Sequence, residues 1–205
     1  MEYSKIEKLG VNPSLLGFGC MRFPKKEDGT IDEAEAERMI DHAIANGVTY
    51  IDTAYPYHDG ASEPFVGKVL KKYDRKSFYL ATKLPMFKIE SLEEAKEIFE
   101  EQMKRLDVDY VDFYLLHALN KTQWQKVLDL GILPYVEELK KEGRIKNLGF
   151  SFHDDYEVFE EIVNYRDWDF CQIQLNYLDT DIQAGMKGYK LTEEKNIPLI
   201  IMEPI

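Results

Sequence analysis

The sequence predicts an α/β fold, a parallel sheet covered by helices and closed as a (β/α) barrel, forming a single domain over residues 1–205. Three observations carry this. Short apolar runs alternate with amphipathic helical stretches along the whole chain, the pattern of a parallel sheet with helices on its faces. The first strand is not followed by the G-x-G-x-x-G turn that opens a helix in dinucleotide-binding open sheets. Asp52, Lys83, His117, Ser151 and Gln172 each fall at or within the C-terminal half of a strand, about one βα unit apart, and chemistry gathered at one rim is how a barrel builds a site.

The elements follow in order. Residues 3–9 alternate weakly and predict a small strand ahead of the domain proper. Residues 15–20, closing on Gly-Phe-Gly-Cys, form the first core strand. Asp32 caps the next helix, with Glu35 completing a capping box. Its inward stripe is Ala36, Met39, Ile40, Ala43 and Ile44, and Asn46-Gly47 closes it. Residues 48–51 are β-branched and aromatic, a buried strand that ends at Asp52. A loop carrying Tyr57 follows, and Ser62-Glu63 opens a helix ending near Lys72.

The unit then repeats. Residues 78–82 form a third strand ending at Lys83, and Ser91 with Glu94 caps a helix whose stripe is Ala95, Ile98, Phe99, Met103 and Leu106. Residues 111–116 form a fourth strand ending at His117. Residues 122–142 are helical in two pieces, because Gly131 and Pro134 interrupt the run. Residues 145–150 form a fifth strand ending at Ser151, followed by a helix over 155–164. Residues 170–175 form a sixth strand. A helix over 185–195 is weakened by Gly188 at about 1 kcal/mol, and residues 198–202 form a seventh strand.

Composition narrows the class. At 44% apolar and 31% charged residues, the chain suits a globular domain with a sizeable core. A net charge of −12 argues against nucleic acid or an anionic membrane as partner. Any phosphorylated cofactor would need local basic groups. Cys20 and Cys171 lie in apolar runs without ligand spacing and read as buried thiols of a reducing compartment. The N-terminus lacks the apolar core of a signal peptide, and the longest apolar run, 197–202, is far too short to span a bilayer. A cytoplasmic protein with no metal site is expected.

Taken singly, the rim residues have ordinary readings: Lys83 as a strand-end lysine, His117 as a core histidine, Asp52 as a turn cap, Tyr57 as a packed loop aromatic. Taken jointly they make a proton-transfer set. A free phenol has a pKa of about 10; a neighbouring ammonium favours the phenolate. A buried lysine needs a counter-ion, which Asp52 supplies, and a neutral histidine orients a carbonyl oxygen. On the sixth strand, alternation puts Gln172, Gln174 and Asn176 on one face, suited to barrel-interior water or to a planar amide beside Ser151. His153-Asp154-Asp155 is contiguous, a helix cap rather than a ligand set.

These residues resemble the aldo-keto reductase family. The matching pieces are Gly17-Phe-Gly-Cys-Met21, Asp52-Thr-Ala-x-x-Tyr57 with Gly60-x-Ser-Glu63, Ala81-Thr-Lys83, Asp112-x-x-Leu-Leu-His117, Gly149-x-Ser151, and Gln172 ahead of Asn176. The resemblance implies a (β/α)8 TIM barrel that reduces a small-molecule aldehyde or ketone with NADP(H), or NAD(H). It implies Tyr57 as general acid, Lys83 lowering its pKa, Asp52 holding Lys83, and His117 orienting the carbonyl. Met21, Ser151, Gln172 and Met202 would contact the cofactor.

The sequence departs from the family pattern in places. Phe152 stands where an asparagine is usual, Met202 where an aromatic often stacks, and Glu203 near the expected pyrophosphate. The chain resembles a subgroup whose longer members carry a C-terminal iron–sulfur segment, yet it holds no cysteine cluster. It ends after the seventh strand, so the barrel is expected to be incomplete, with a C-terminal extension or second chain covering its open edge. Three other readings stand beside the reductase: a cofactor-sensing subunit of the same fold, a truncated chain with impaired cofactor binding, and a Schiff-base lyase at Lys83. Ion pairing to Asp52 disfavours the last.

Overall fold

The computed structural model describes residues 1–204. Seven parallel strands lie in sequence order in one curled sheet. They are β1 (Gly17–Gly19), β2 (Tyr50–Asp52), β3 (Tyr79–Leu84), β4 (Val111–Leu119), β5 (Ile145–Phe152), β6 (Phe170–Gln174) and β7 (Leu199–Met202). Seven helices cover the outer face: α1 (Glu33–Ala45), α2 (Ser62–Leu70), α3 (Leu92–Leu106), α4 (Lys121–Asp129), α5 (Ile132–Lys141), α6 (Tyr156–Tyr165) and α7 (Gly185–Glu194). This is an incomplete (β/α) barrel, and among the described residues β1 and β7 have no strand on their outer sides.

Two apolar layers follow from strand alternation. The larger, between sheet and helices, takes Ile51, Leu80, Leu116, Leu148, Cys171 and Ile173 from the strands and the helix stripes from outside. The smaller fills the barrel interior with Tyr50, Ala81, Phe113, Leu115 and Phe170. Gly149 on β5 belongs to this inner layer. A Cβ there would stand 2.5 Å from the Phe170 carbonyl oxygen and 2.7 Å from its ring, so only glycine lets that aromatic cross.

The ends of the elements show what the local sequence does. Asp32 accepts from the Glu35 N–H at 3.3 Å, but the Glu35 carboxylate pairs with Arg38, so the expected box is half made. Ser91 accepts from the Glu94 N–H at 3.2 Å, and Glu94 reaches back to the Glu90 N–H at 2.6 Å. The long helical stretch breaks at Gly131, whose φ of 67° ends one helix and starts the next. Pro134 is harmless in the first turn of α5, where its missing N–H is not needed. Asp155 starts α6 without a side-chain cap. Asp154 instead accepts from the Asp155 and Lys121 N–H groups, each at 2.8 Å, and ties the loop after β5 to α4.

Residues 3–9 form no strand. They make only isolated bridges, Tyr3 to Ser14 and Ile6 to Val11. The resulting hairpin turns Leu9 and Val11 onto the inner aromatic layer. It plugs the end of the barrel away from the site, which leaves the C-terminal rim as the open end.

Candidate active site

Asp52 is the last residue of β2, and Lys83 sits one residue before the end of β3. The Lys83 ammonium is ion-paired to Asp52 Oδ1. It also donates to the Thr53 carbonyl at 2.9 Å and to the Tyr57 hydroxyl at 3.3 Å. An ammonium has three hydrogens, and all three are engaged. Lys83 is 1% exposed. Burial alone would lower its pKa, but Asp52 and Tyr57 outweigh burial and hold it above the ordinary value, so it stays a cation.

Tyr57 opens a 3-10 turn, Tyr57–Gly60. The next two residues, His58 and Asp59, both adopt left-handed backbone at φ 52° and 55°, uncommon outside glycine. The turn is latched: His58 Nε2 accepts from the Phe23 N–H at 3.2 Å, and its ring packs 5.5 Å from that of Phe23. Burial is the largest influence on the Tyr57 hydroxyl and raises its pKa; Lys83 lowers it, and Asp52 raises it. The net direction is upward. The expected pull of Lys83 is present, but desolvation exceeds it.

His117 presents its ring edge-on to Tyr57, with centroids 5.9 Å apart, and Phe87 packs against it at 5.6 Å. Burial first, then Lys83 and His153, push its pKa down to about 3, so the ring is neutral near neutral pH. Its Nδ1 is buried without a partner among the described residues. β4 bulges just beyond, where pairing slips between Leu116 and Leu119 and Ala118 takes φ 53°. The bulge aims the Ala118 N–H at Ser151 Oγ, 2.8 Å away.

Gln172 donates to Asp52 Oδ2 at 3.3 Å, so the two Asp52 oxygens are divided between Lys83 and Gln172. Gln172 Oε1 is buried without a partner among the described residues. The three amides do not act as one face. Gln174 and Asn176 both turn to Asp179 Oδ2, at 3.2 and 3.0 Å, and Asn176 lies past the end of β6, where it braces the loop.

Bonds and ring contacts thus join Asp52, Tyr57, Lys83, His117 and Gln172, with Ser151 attached through Ala118. Met21 stands exposed just past β1, and Met202 ends β7, on the same rim but outside that network. Glu203, expected near a pyrophosphate, lies 3.4 Å from the Arg22 guanidinium. Sequence reasoning missed Phe87, which had only its loop position to mark it. It also missed the buried polar group behind Lys83, comprising Glu63, Thr82 and Gln102. Among the described residues no helix is long and apolar enough to cross a membrane.

Comparison with known proteins gives a consistent picture. Residues 15–205 match the profile of the Aldo/keto reductase family. The chain is 35% identical to "Probable aldo-keto reductase 1" of Glycine max over 72% of this chain and 44% of that one. It is 29% identical to the "NADH-specific methylglyoxal reductase" of Escherichia coli over 87% and 59%. The holo form of an aldo-keto reductase from Bacillus halodurans superposes with a TM-score of 0.78 at 29% identity, covering 98% of this chain and 65% of that one. The chain spans about half the length of the curated relatives it matches.

Proposed function

Because the chain belongs to the aldo/keto reductase family, we propose that it reduces an aldehyde or ketone to the alcohol by hydride transfer, with NADP(H) as donor and Tyr57 as general acid. The observation that carries this is the Lys83 ammonium held between Asp52 and the Tyr57 hydroxyl in a buried site. As hydride reaches carbon, negative charge develops on the substrate oxygen. The Tyr57 O–H donates its proton there, and the Lys83 cation stabilises the phenolate that remains. Asp52 keeps Lys83 charged and aimed. His117, neutral at working pH, donates one ring N–H to the same oxygen and sets its direction.

The residues suit a nicotinamide at this rim. Gln172 Oε1 is a buried acceptor with no donor among the described residues, which fits a carboxamide N–H. Ser151 accepts from Ala118 and keeps its own hydroxyl hydrogen to donate. Met21 and Met202 would supply soft apolar surface. When bound, the reduced cofactor supplies the hydride. Arg22 is already paired with Glu203, and one relative is named NADH-specific, so NAD(H) is the alternative donor.

Steady-state oxidation of NADPH and of NADH with a panel of small aldehydes tests the proposal, beside fluorescence titration of each cofactor. Carbonyl-dependent oxidation is expected. Cofactor binding with no turnover on any carbonyl would instead favour a sensing role for the same fold.

A further inference from the structure

β2 ends at Asp52 while β3 runs on to Leu84, so the backbone of β3 at Lys83 has no strand alongside it on that flank. A side chain takes that place. Gln102, from α3, donates to the Lys83 carbonyl at 3.0 Å. It also donates to Glu63 Oε1 at 2.8 Å, while its own oxygen accepts from the Tyr114 hydroxyl at 2.7 Å. The amide cannot be turned over, because its nitrogen faces a carboxylate and a carbonyl, both pure acceptors. Thr82 completes the group by donating to Glu63 at 2.6 Å.

Glu63 and Gln102 are both 0% exposed. Burying a carboxylate and an amide is costly unless every bond is made, and apolar side chains would brace the helix against the sheet without that cost. The bonds of this group lead to two places. One is the Lys83 carbonyl. The other is the loop bearing Tyr57: Arg105, one turn beyond Gln102 on α3, lies 3.5 Å from Glu63 Oε2 and 3.4 Å from the Tyr55 carbonyl, with its guanidinium 4.1 Å over the Tyr55 ring. The same face of one helix therefore grips the strand that carries the cation and the loop that carries the phenol.

We infer that Gln102 is a positioning residue that, bonded to Glu63 and to the Lys83 carbonyl, fixes where the Lys83 ammonium stands relative to Tyr57. The consequence for turnover rests on the reductase reading; the geometric claim does not. Gln102→Met keeps the volume and removes the amide. Its kcat for carbonyl reduction is expected to fall about tenfold or more, as for a small misplacement of a reacting group, with cofactor affinity little changed. The Tyr57 pKa is read separately, by NMR of tyrosine labelled at the hydroxyl-bearing ring carbon and assigned with Tyr57→Phe. It is expected to move upward, because a displaced ammonium stabilises the phenolate less. Gln102→Asn keeps the amide one methylene short and is expected to move both readouts the same way. An unchanged Tyr57 pKa in either folded variant overturns the inference, whatever happens to the melting temperature. Failure of both variants to fold overturns it too, by making the group purely structural. If the wild-type chain turns over no carbonyl, the reductase reading falls and the Tyr57 titration still decides this inference.

Discussion

The Tyr57 hydroxyl and the Lys83 ammonium stand 3.3 Å apart, yet the phenol holds its proton more firmly than free tyrosine does. Both facts suit the acid proposed for Tyr57. In that proposal the proton stays on Tyr57 until a developing alkoxide takes it, and the cation is already in place for the phenolate. Tyr57→Phe removes the proton and, with it, the acceptor of one Lys83 hydrogen. Turnover is expected to fall about 100-fold or more, with cofactor affinity within about twofold of wild type by fluorescence titration. Wild-type turnover in this variant would reject Tyr57 as the acid.

Lys83→Met tests the other member. The variant leaves Asp52 facing an apolar side chain, with only Gln172 to satisfy it. Loss of activity is expected, together with a rise in the Tyr57 pKa, since the one influence that lowers it most has gone. The stability effect has a defined sign. The folded-state Lys83 pKa lies above its unfolded value of about 10.4, so its ion pair supports folding throughout the neutral range and fades only as pH rises through the folded value. Urea midpoints at neutral and strongly alkaline pH should therefore differ less in Lys83→Met than in wild type.

Much of this site is legible in the sequence because strand ends are. Asp52, Lys83, His117 and Ser151 each close an apolar run, and parallel strands bring such ends to one rim. What the sequence hides depends on tertiary contact. Glu63 and Gln102 meet from helices 39 residues apart, and neither helix pattern marks them, since a buried amide looks like a surface one. Asn176 keeps the parity of Gln172 but lies past the strand, where alternation no longer governs direction. The Ala118 bulge lies past His117, where the apolar run reads as ended, and no residue there marks that the strand continues to Leu119. At the N-terminus, weak alternation reflects a hairpin that packs two side chains rather than a strand that joins the sheet.

His117 carries a pH prediction. Its pKa falls to about 3 in the fold against an ordinary value of 6.5. Between those values the unfolded chain binds the extra proton, so stability is highest above the unfolded value and drops as pH falls toward the folded one. The slope is at most about 1.4 kcal/mol per pH unit. His117→Gln lacks this titration. Its urea midpoint should change less than that of wild type between pH 6.5 and about 5. Parallel curves for the two proteins would show that His117 titrates normally and is not held neutral.

Gly149 separates the demands of the barrel from those of the site. Its missing Cβ is what lets the Phe170 ring and carbonyl approach, at 2.7 and 2.5 Å from where that carbon would be. Phe170 in turn packs edge-on to Phe113 at 5.0 Å in the inner layer beneath Lys83. Gly149→Ala must push β5 and β6 apart or displace that ring, and overpacking of this kind costs about 1–3 kcal/mol. Gly19 is the control, since a Cβ there meets nothing within 4 Å and its backbone is not left-handed. Gly19→Ala should leave the urea midpoint near wild type while Gly149→Ala lowers it. Because Ser151 and Gln172 are register partners two residues beyond Gly149 and Phe170, the same variant should also weaken cofactor binding. An unchanged midpoint and affinity would mean that β5 and β6 yield at this point, and that the close crossing is not what aligns Ser151 with Gln172, the two positions proposed to hold the cofactor amide.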